Sequence, residues 1–173
     1  MAKINEKKFC AYSEDNYMTI FDSNKFSEIK EFSIGNADNF CITKIQMIDK
    51  GTIAGMRKDK IYLISLNKYC IIQTIDTEKT IKDMITTKSN KILISGYYKN
   101  NNYLIQYNYQ ILKDEISLSK NDIIESGTRI NLLFLLENKD NNKKNHYGRL
   151  LCFHNDNTIQ IYETSKNNIN IKK

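Results

Sequence analysis

One hairpin-like stretch occurs four times along this chain, and no other feature constrains the fold as tightly. FCAYSEDNYMTIFD, TIAGMRKDKIYLIS, ILISGYYKNNNYLIQYN and LLCFHNDNTIQIYE each read as an apolar strand, a short turn containing Asp or Asn, and a second alternating strand. Anchored on the last aromatic or aliphatic residue of the second strand, the copies fall at Phe21, Ile64, Tyr107 and Tyr162, with spacings of 43, 43 and 55 residues. Two equal periods argue against coincidence. The third exceeds them by 12, which matches the polar run ENKDNNKKNHYG at 137–148, whose composition suits an inserted exposed loop.

Alternation sets Met18 and Ile20, Ile61 and Leu63, Leu104 and Gln106, and Ile159 and Ile161 on one face of the second strands. Gln106 is the misfit: a buried amide needs partners, so either that strand slips by a residue or the amide is satisfied locally. The turn pairs Asp15-Asn16, Asp59-Lys60, Asn101-Asn102 and Asp156-Asn157 offer Asx residues that tolerate positive φ, and the third hairpin is longer than the rest by two or three residues. Flanking segments such as CITKIQMI, YCIIQTI, TIKDMITT and RINLLFLL are strand-like too, giving four antiparallel strands per unit. ILKDEISLSKNDIIESG alone leaves room for a helical turn or two.

Four strands in about 40–45 residues is the blade unit of a β-propeller. DNYMTIFDS and DNTIQIYET resemble the third strand of a WD-repeat blade, which ends in a Trp-Asp pair; Phe21-Asp22 and Tyr162-Glu163 stand at that pair, Ile64-Ser65 and Tyr107-Asn108 more weakly. The chain has no Trp and no Gly-His dipeptide, so the hydrogen-bonded tetrad of WD repeats cannot be assembled. The resemblance implies an all-β chain of WD-like propeller blades, degenerate and held by apolar packing, with an antiparallel β-sandwich as the alternative.

The expected organisation is one propeller-like domain with blades at 1–36, 37–78, 79–120 and 121–173. Lined up on the repeat, the first copy begins at its second strand, with only MAKINE before it. Four blades are about half of a seven- or eight-bladed ring, so the chain reads as an incomplete ring or fragment, with completion by a partner chain or a second copy and a strained four-bladed ring as the other outcomes.

Composition narrows the functional classes. With 40% hydrophobic residues among 173, the chain can bury a core, and no window approaches a membrane span or a secretory h-region, so an intracellular, cytoplasmic protein is expected. The net charge of +6 arises from lysines spread along the chain and mixed with 20 acidic residues; 27 Ile, 23 Lys and 22 Asn also fit an A/T-rich genome. Cys10, Cys41, Cys70 and Cys152 lack metal or redox spacing and read as reduced buried thiols. No phosphate-binding Gly-rich loop or calcium-loop spacing is present, and no cofactor or metal is expected. Of two histidines, His146 lies in the polar insertion and His154 is expected to bond Asp156; no nucleophile-base pair emerges, so the chain is expected not to be an enzyme.

Binding is what remains. The resemblance implies a protein-interaction scaffold, with Tyr17, Tyr97, Tyr98, Tyr103 and Tyr109, at predicted turns or strand ends, as candidate contacts. The competing reading packs those tyrosines between blades. The alternative function is a nucleic-acid or anionic-surface binder using the basic stretch Lys139, Lys143, Lys144, His146 and Arg149. Phe21, Asp22, Ile64, Tyr107, Tyr162 and Glu163 are assigned to the repeat itself.

Overall fold

The computed structural model describes residues 1–35, 42–87, 90–112, 115–137, 148–164 and 169–170. Among these the chain forms four antiparallel sheets, each made of four strands consecutive in sequence. The first holds β1 (Ala2–Asn5), β2 (Lys8–Tyr12), β3 (Tyr17–Asp22) and β4 (Glu28–Ser33). The second holds β5 (Lys44–Met47), β6 (Thr52–Arg57), β7 (Lys60–Ser65) and β8 (Cys70–Asp76). The third holds β9 (Thr80–Thr87), β10 (Lys91–Tyr98), β11 (Asn101–Leu112) and β12 (Glu115–Ser126). The fourth holds β13 (Ile130–Glu137), β14 (Gly148–His154), β15 (Ile159–Thr164) and β16 (Ile169–Asn170). No strand is shared between sheets, which is blade architecture and not a sandwich.

The sequence repeat reappears as hydrogen-bond register. The anchors pair with equivalent residues of the preceding strand: Phe21 with Phe9, Ile64 with Ile53, Tyr107 with Ile92 and Tyr162 with Leu150. One residue on, Asp22 pairs with Lys8 and Glu163 with Arg149. Gln106 stands opposite Leu93 in the unshifted register, buried at a position that is Ile20 or Leu63 in the first two copies. Its Nε2 donates to Asn108 Oδ1 at 3.1 Å, while Oε1 has no hydrogen-bond partner.

Several expectations are corrected. The first sheet is not short of a strand, because Ala2–Asn5 pairs with β2. The third hairpin's extra length lies in its strands: β10 and β11 are joined by two residues, as are β6 and β7, whereas the first and fourth hairpins use four-residue loops. Positive φ falls on Asn16 and Asn157 in the longer loops but on Lys58 and Lys99 in the tight ones, not on the Asx residues beside them. The segment that left room for helix is strand, forming parts of β11 and β12. β12 also runs past residue 120 to Ser126, so the third sheet ends later than the repeat spacing implies. The segment at 138–147 lies outside the described residues.

Two compact units divide the chain, Met1–Glu78 with Ile111–Ile116, and Lys79–Gln110 with Ser117–Lys173. In the first unit Cys10, Met18, Ile20 and Phe32 of the first sheet pack with Ile45, Ile53, Tyr62 and Ile64 of the second. In the second, Ile85, Leu93 and Leu104 of the third sheet pack with Leu133, Leu150, Cys152 and Tyr162 of the fourth. Burial of such aliphatic side chains contributes about 1.5–3 kcal/mol each, so these faces carry the stability that the absent tetrad would have shared.

A polar staple joins the two sheets of the second unit. Asp83 on β9 is buried; its Oδ1 accepts from the Met84 backbone N–H at 2.9 Å and its Oδ2 from the Leu133 backbone N–H on β13 at 2.7 Å. A carboxyl group at this depth is retained only where its oxygens are matched by donors.

Thiol chemistry separates buried from exposed cysteines. Desolvation pushes the Cys10 thiol up to about 11 and the Cys152 thiol up to about 12, whereas Cys70 is exposed, contrary to the expectation that all four are buried. Cys41 lies outside the described residues. A raised pKa keeps a thiol protonated and unreactive below it. In mildly alkaline buffer, mass spectrometry after brief alkylation is expected to find Cys70 modified and Cys10 and Cys152 intact until denaturant is added. Equal labelling of all three in the folded protein contradicts this packing.

Candidate functional site

The β10–β11 hairpin carries four of the five candidate tyrosines and gathers three of them, Tyr97, Tyr98 and Tyr103, at its tip. Gly96 faces Tyr103, Tyr97 faces Asn102, and Tyr98 faces Asn101 at the turn. Alternation puts Tyr98 and Tyr103 on one face of the sheet and Tyr97 on the other. Tyr98 is 49% exposed, Tyr97 half-buried and Tyr103 8% exposed, so the three rings run from the tip inward.

Cations lie over these rings. Lys79 Nζ stands 4.2 Å from the Tyr103 ring centre and 5.8 Å from that of Tyr98, which also has Lys99 Nζ at 5.4 Å. On the other face the Arg129 guanidinium carbon lies 3.8 Å from the Tyr97 ring centre and Lys82 Nζ at 5.5 Å. The negative π-face of tyrosine attracts a cation within about 6 Å, worth about 0.5–1 kcal/mol at an exposed site. Three rings thus hold four positive charges around one hairpin tip.

Local backbone explains the placement. A bulge between Ser95 and Gly96 lets β9 carry Lys82 without a partner opposite it on β10. At Gly96 a Cβ would meet the Thr80 carbonyl oxygen at 2.7 Å, so only glycine lets β9 approach this closely. Lys99 takes positive φ in the two-residue turn that swings its side chain toward Tyr98.

The remaining candidates are placed differently. Tyr17 opens β3 on the first sheet and is exposed. Tyr109, expected at the surface, is 2% exposed within β11, where its backbone N–H donates to the Asn90 carbonyl. Tyr103, opposite Gly96 in the register, is likewise more buried than expected. Of the basic stretch, Arg149 is exposed on β14, and Lys139, Lys143, Lys144 and His146 lie outside the described residues. Tyr162 is buried and donates to Gln160 Oε1 at 2.6 Å; burial raises its pKa.

His154 does not bond Asp156. Its Nδ1 meets Thr128 Oγ1 at 2.6 Å, and the Asp156 carboxyl instead accepts from the Thr158 hydroxyl and backbone N–H, which hold it below the usual carboxylate range. Asp22 is held low in the same way, by the backbone N–H groups of Lys25 and Asn24. Both carboxyls therefore serve turns. Among the described residues no three His, Cys, Asp or Glu side chains gather as a metal site, and no helix is long and apolar enough to cross a membrane.

These sheets have the fold of WD40 β-propeller blades. The chain matches Sqt1 of Saccharomyces cerevisiae with a TM-score of 0.67 at 10% identity, covering 92% of this chain and 41% of that one. The WD40 domain of SCAP from fission yeast gives 0.64 at 8%, covering 98% and 39%. The WD40 β-propeller domain of Doa1 gives 0.62 at 16%, covering 90% and 46%. The chain spans less than half the length of these solved propellers, and at such identities the likeness is one of fold. No protein-family model matches the sequence, and no curated protein does.

Proposed function

We propose that the chain is a non-catalytic protein-interaction scaffold that takes an acidic partner segment at the β10–β11 tip. The observation that carries this reading is the set of Lys79, Lys82, Lys99 and Arg129 around Tyr97, Tyr98 and Tyr103. Tyrosines with polar tips held on a rigid hairpin are preformed contact residues, and flanking cations select carboxylate-rich partners and speed their encounter. Single-stranded nucleic acid is recognised by aromatic rings too, but through their open faces. Here each ring already has an ammonium or guanidinium group over it, which favours a partner that meets positive charges and hydroxyl edges.

A displayed library of acidic peptides is expected to yield binders whose affinity falls as salt rises. Tyr98→Ala is expected to weaken the selected peptide about tenfold, equivalent to about 1.4 kcal/mol. A Tyr17→Ala variant on the first sheet is expected to leave it unchanged. Absence of any binder, or displacement of every binder by a short single-stranded RNA that binds more tightly, overturns the assignment.

A further inference from the structure

The fourth sheet leaves apolar the face that the first and third sheets bury. Register makes Leu151 and Ile161 equivalent to Cys10 and Ile20, and Phe153 and Ile159 equivalent to Tyr12 and Met18. In the first sheet Cys10 and Met18 are sealed from solvent beneath the second sheet, and in the third Leu93 and Leu104 are sealed beneath the fourth. On the fourth sheet Ile159 and Ile161 are each 52% exposed, and Leu132, Phe134 and Leu136 of β13 extend the same face, about half exposed. A contiguous aliphatic and aromatic face on a sheet marks a binding surface.

The chain also carries the complementary half of such a joint. In the second and fourth sheets the covering side is centred on the anchor pairs Ile53–Ile64 and Leu150–Tyr162. Their counterpart in the first sheet is Phe9–Phe21, a half-buried pair stacked at 5.0 Å on the face away from the first unit's core. Ala11 lies between them and Tyr17 on that face.

We infer that two copies of this chain join head to tail, the fourth sheet of one packing under the Phe9–Phe21 face of the other. The joint repeats the sheet-on-sheet contact that the chain makes twice within itself. Two copies bring together eight blades, within the range of about four to eight found in closed propellers. A heterologous contact of this kind is satisfied for both partners only when two joints form. This inference is independent of the acidic-peptide site, which uses neither face.

Light scattering on the purified chain across the micromolar range is expected to give twice the mass of one chain, relaxing to one on dilution. Ile161→Glu, on the exposed fourth-sheet face, and Ala11→Arg, on the first-sheet face, are each expected to give monomers with unchanged far-ultraviolet circular dichroism. Mixing the two variants is expected to restore the double mass at a higher concentration than the wild type needs, because the mixed pair keeps one unblocked joint where either variant alone has none. A wild-type monomer at every concentration overturns the proposal. So does a dimer that Ile161→Glu abolishes and Ala11→Arg leaves intact, since that joins two fourth sheets to each other.

Discussion

Replacing Asp83 by alanine is expected to lower the melting temperature by about 6–12 °C, the shift that about 3 kcal/mol produces in a chain of this size. The substitution strips the acceptors from two buried backbone N–H groups, Met84 on its own strand and Leu133 on β13. An unmatched buried donor costs about 1–3 kcal/mol, and the side chain's removal leaves space between packed sheets as well. Asp83→Asn is the informative companion. It keeps one acceptor oxygen but turns an NH2 group toward the other donor, so an intermediate loss is expected. If thermal unfolding of Asp83→Ala lies within experimental error of the wild type, the third and fourth sheets are held by apolar contact alone.

Gly96→Ala is the second large effect expected. The added methyl would sit 2.7 Å from the Thr80 carbonyl oxygen, and the obstacle is backbone within a bulged strand pair, not the end of a flexible side chain. Overpacking of this kind costs about 1–3 kcal/mol. A melting point lower by about 4–8 °C follows for about 2 kcal/mol. The same shift must push β9 away from β10, carrying Lys79 and Lys82 off the rings that they cover. Stability and acidic-peptide binding should therefore fall together in Gly96→Ala, whereas Tyr98→Ala should impair binding with little change in melting. A Gly96→Ala protein as stable as wild type would mean that β9 and β10 have slack at the bulge.

The blades were legible in the sequence because both their cause and their signal are local. An alternating strand, a tight turn and a second alternating strand leave a mark at a fixed interval, and Phe21, Ile64, Tyr107 and Tyr162 do fall at one register position. The hairpin tyrosines Tyr97, Tyr98 and Tyr103 could be picked out for the same reason. Their cations could not. Lys79 and Lys82 reach the rings only through the pairing of β9 with β10 and its bulge, and Arg129 only from the start of the next sheet. Asp83 gave no sign either, since the N–H of Leu133 that it satisfies lies 50 residues away. Turn geometry departs from what composition implies. Asp59 and Asn100 fill the second position of the two tight turns, yet Lys58 and Lys99 before them take the left-handed conformation.

Every pairing in these sheets is between strands adjacent along the chain. The backbone hydrogen bonds of a sheet can thus be completed from its own contiguous stretch of polypeptide, without waiting for a distant segment to return. Loop-closure entropy stays small, and sequence-local contacts of this kind favour rapid folding. During synthesis each sheet can zip up in turn as it leaves the ribosome, and a duplicated or deleted unit alters the number of modules without disturbing the wiring of those that remain.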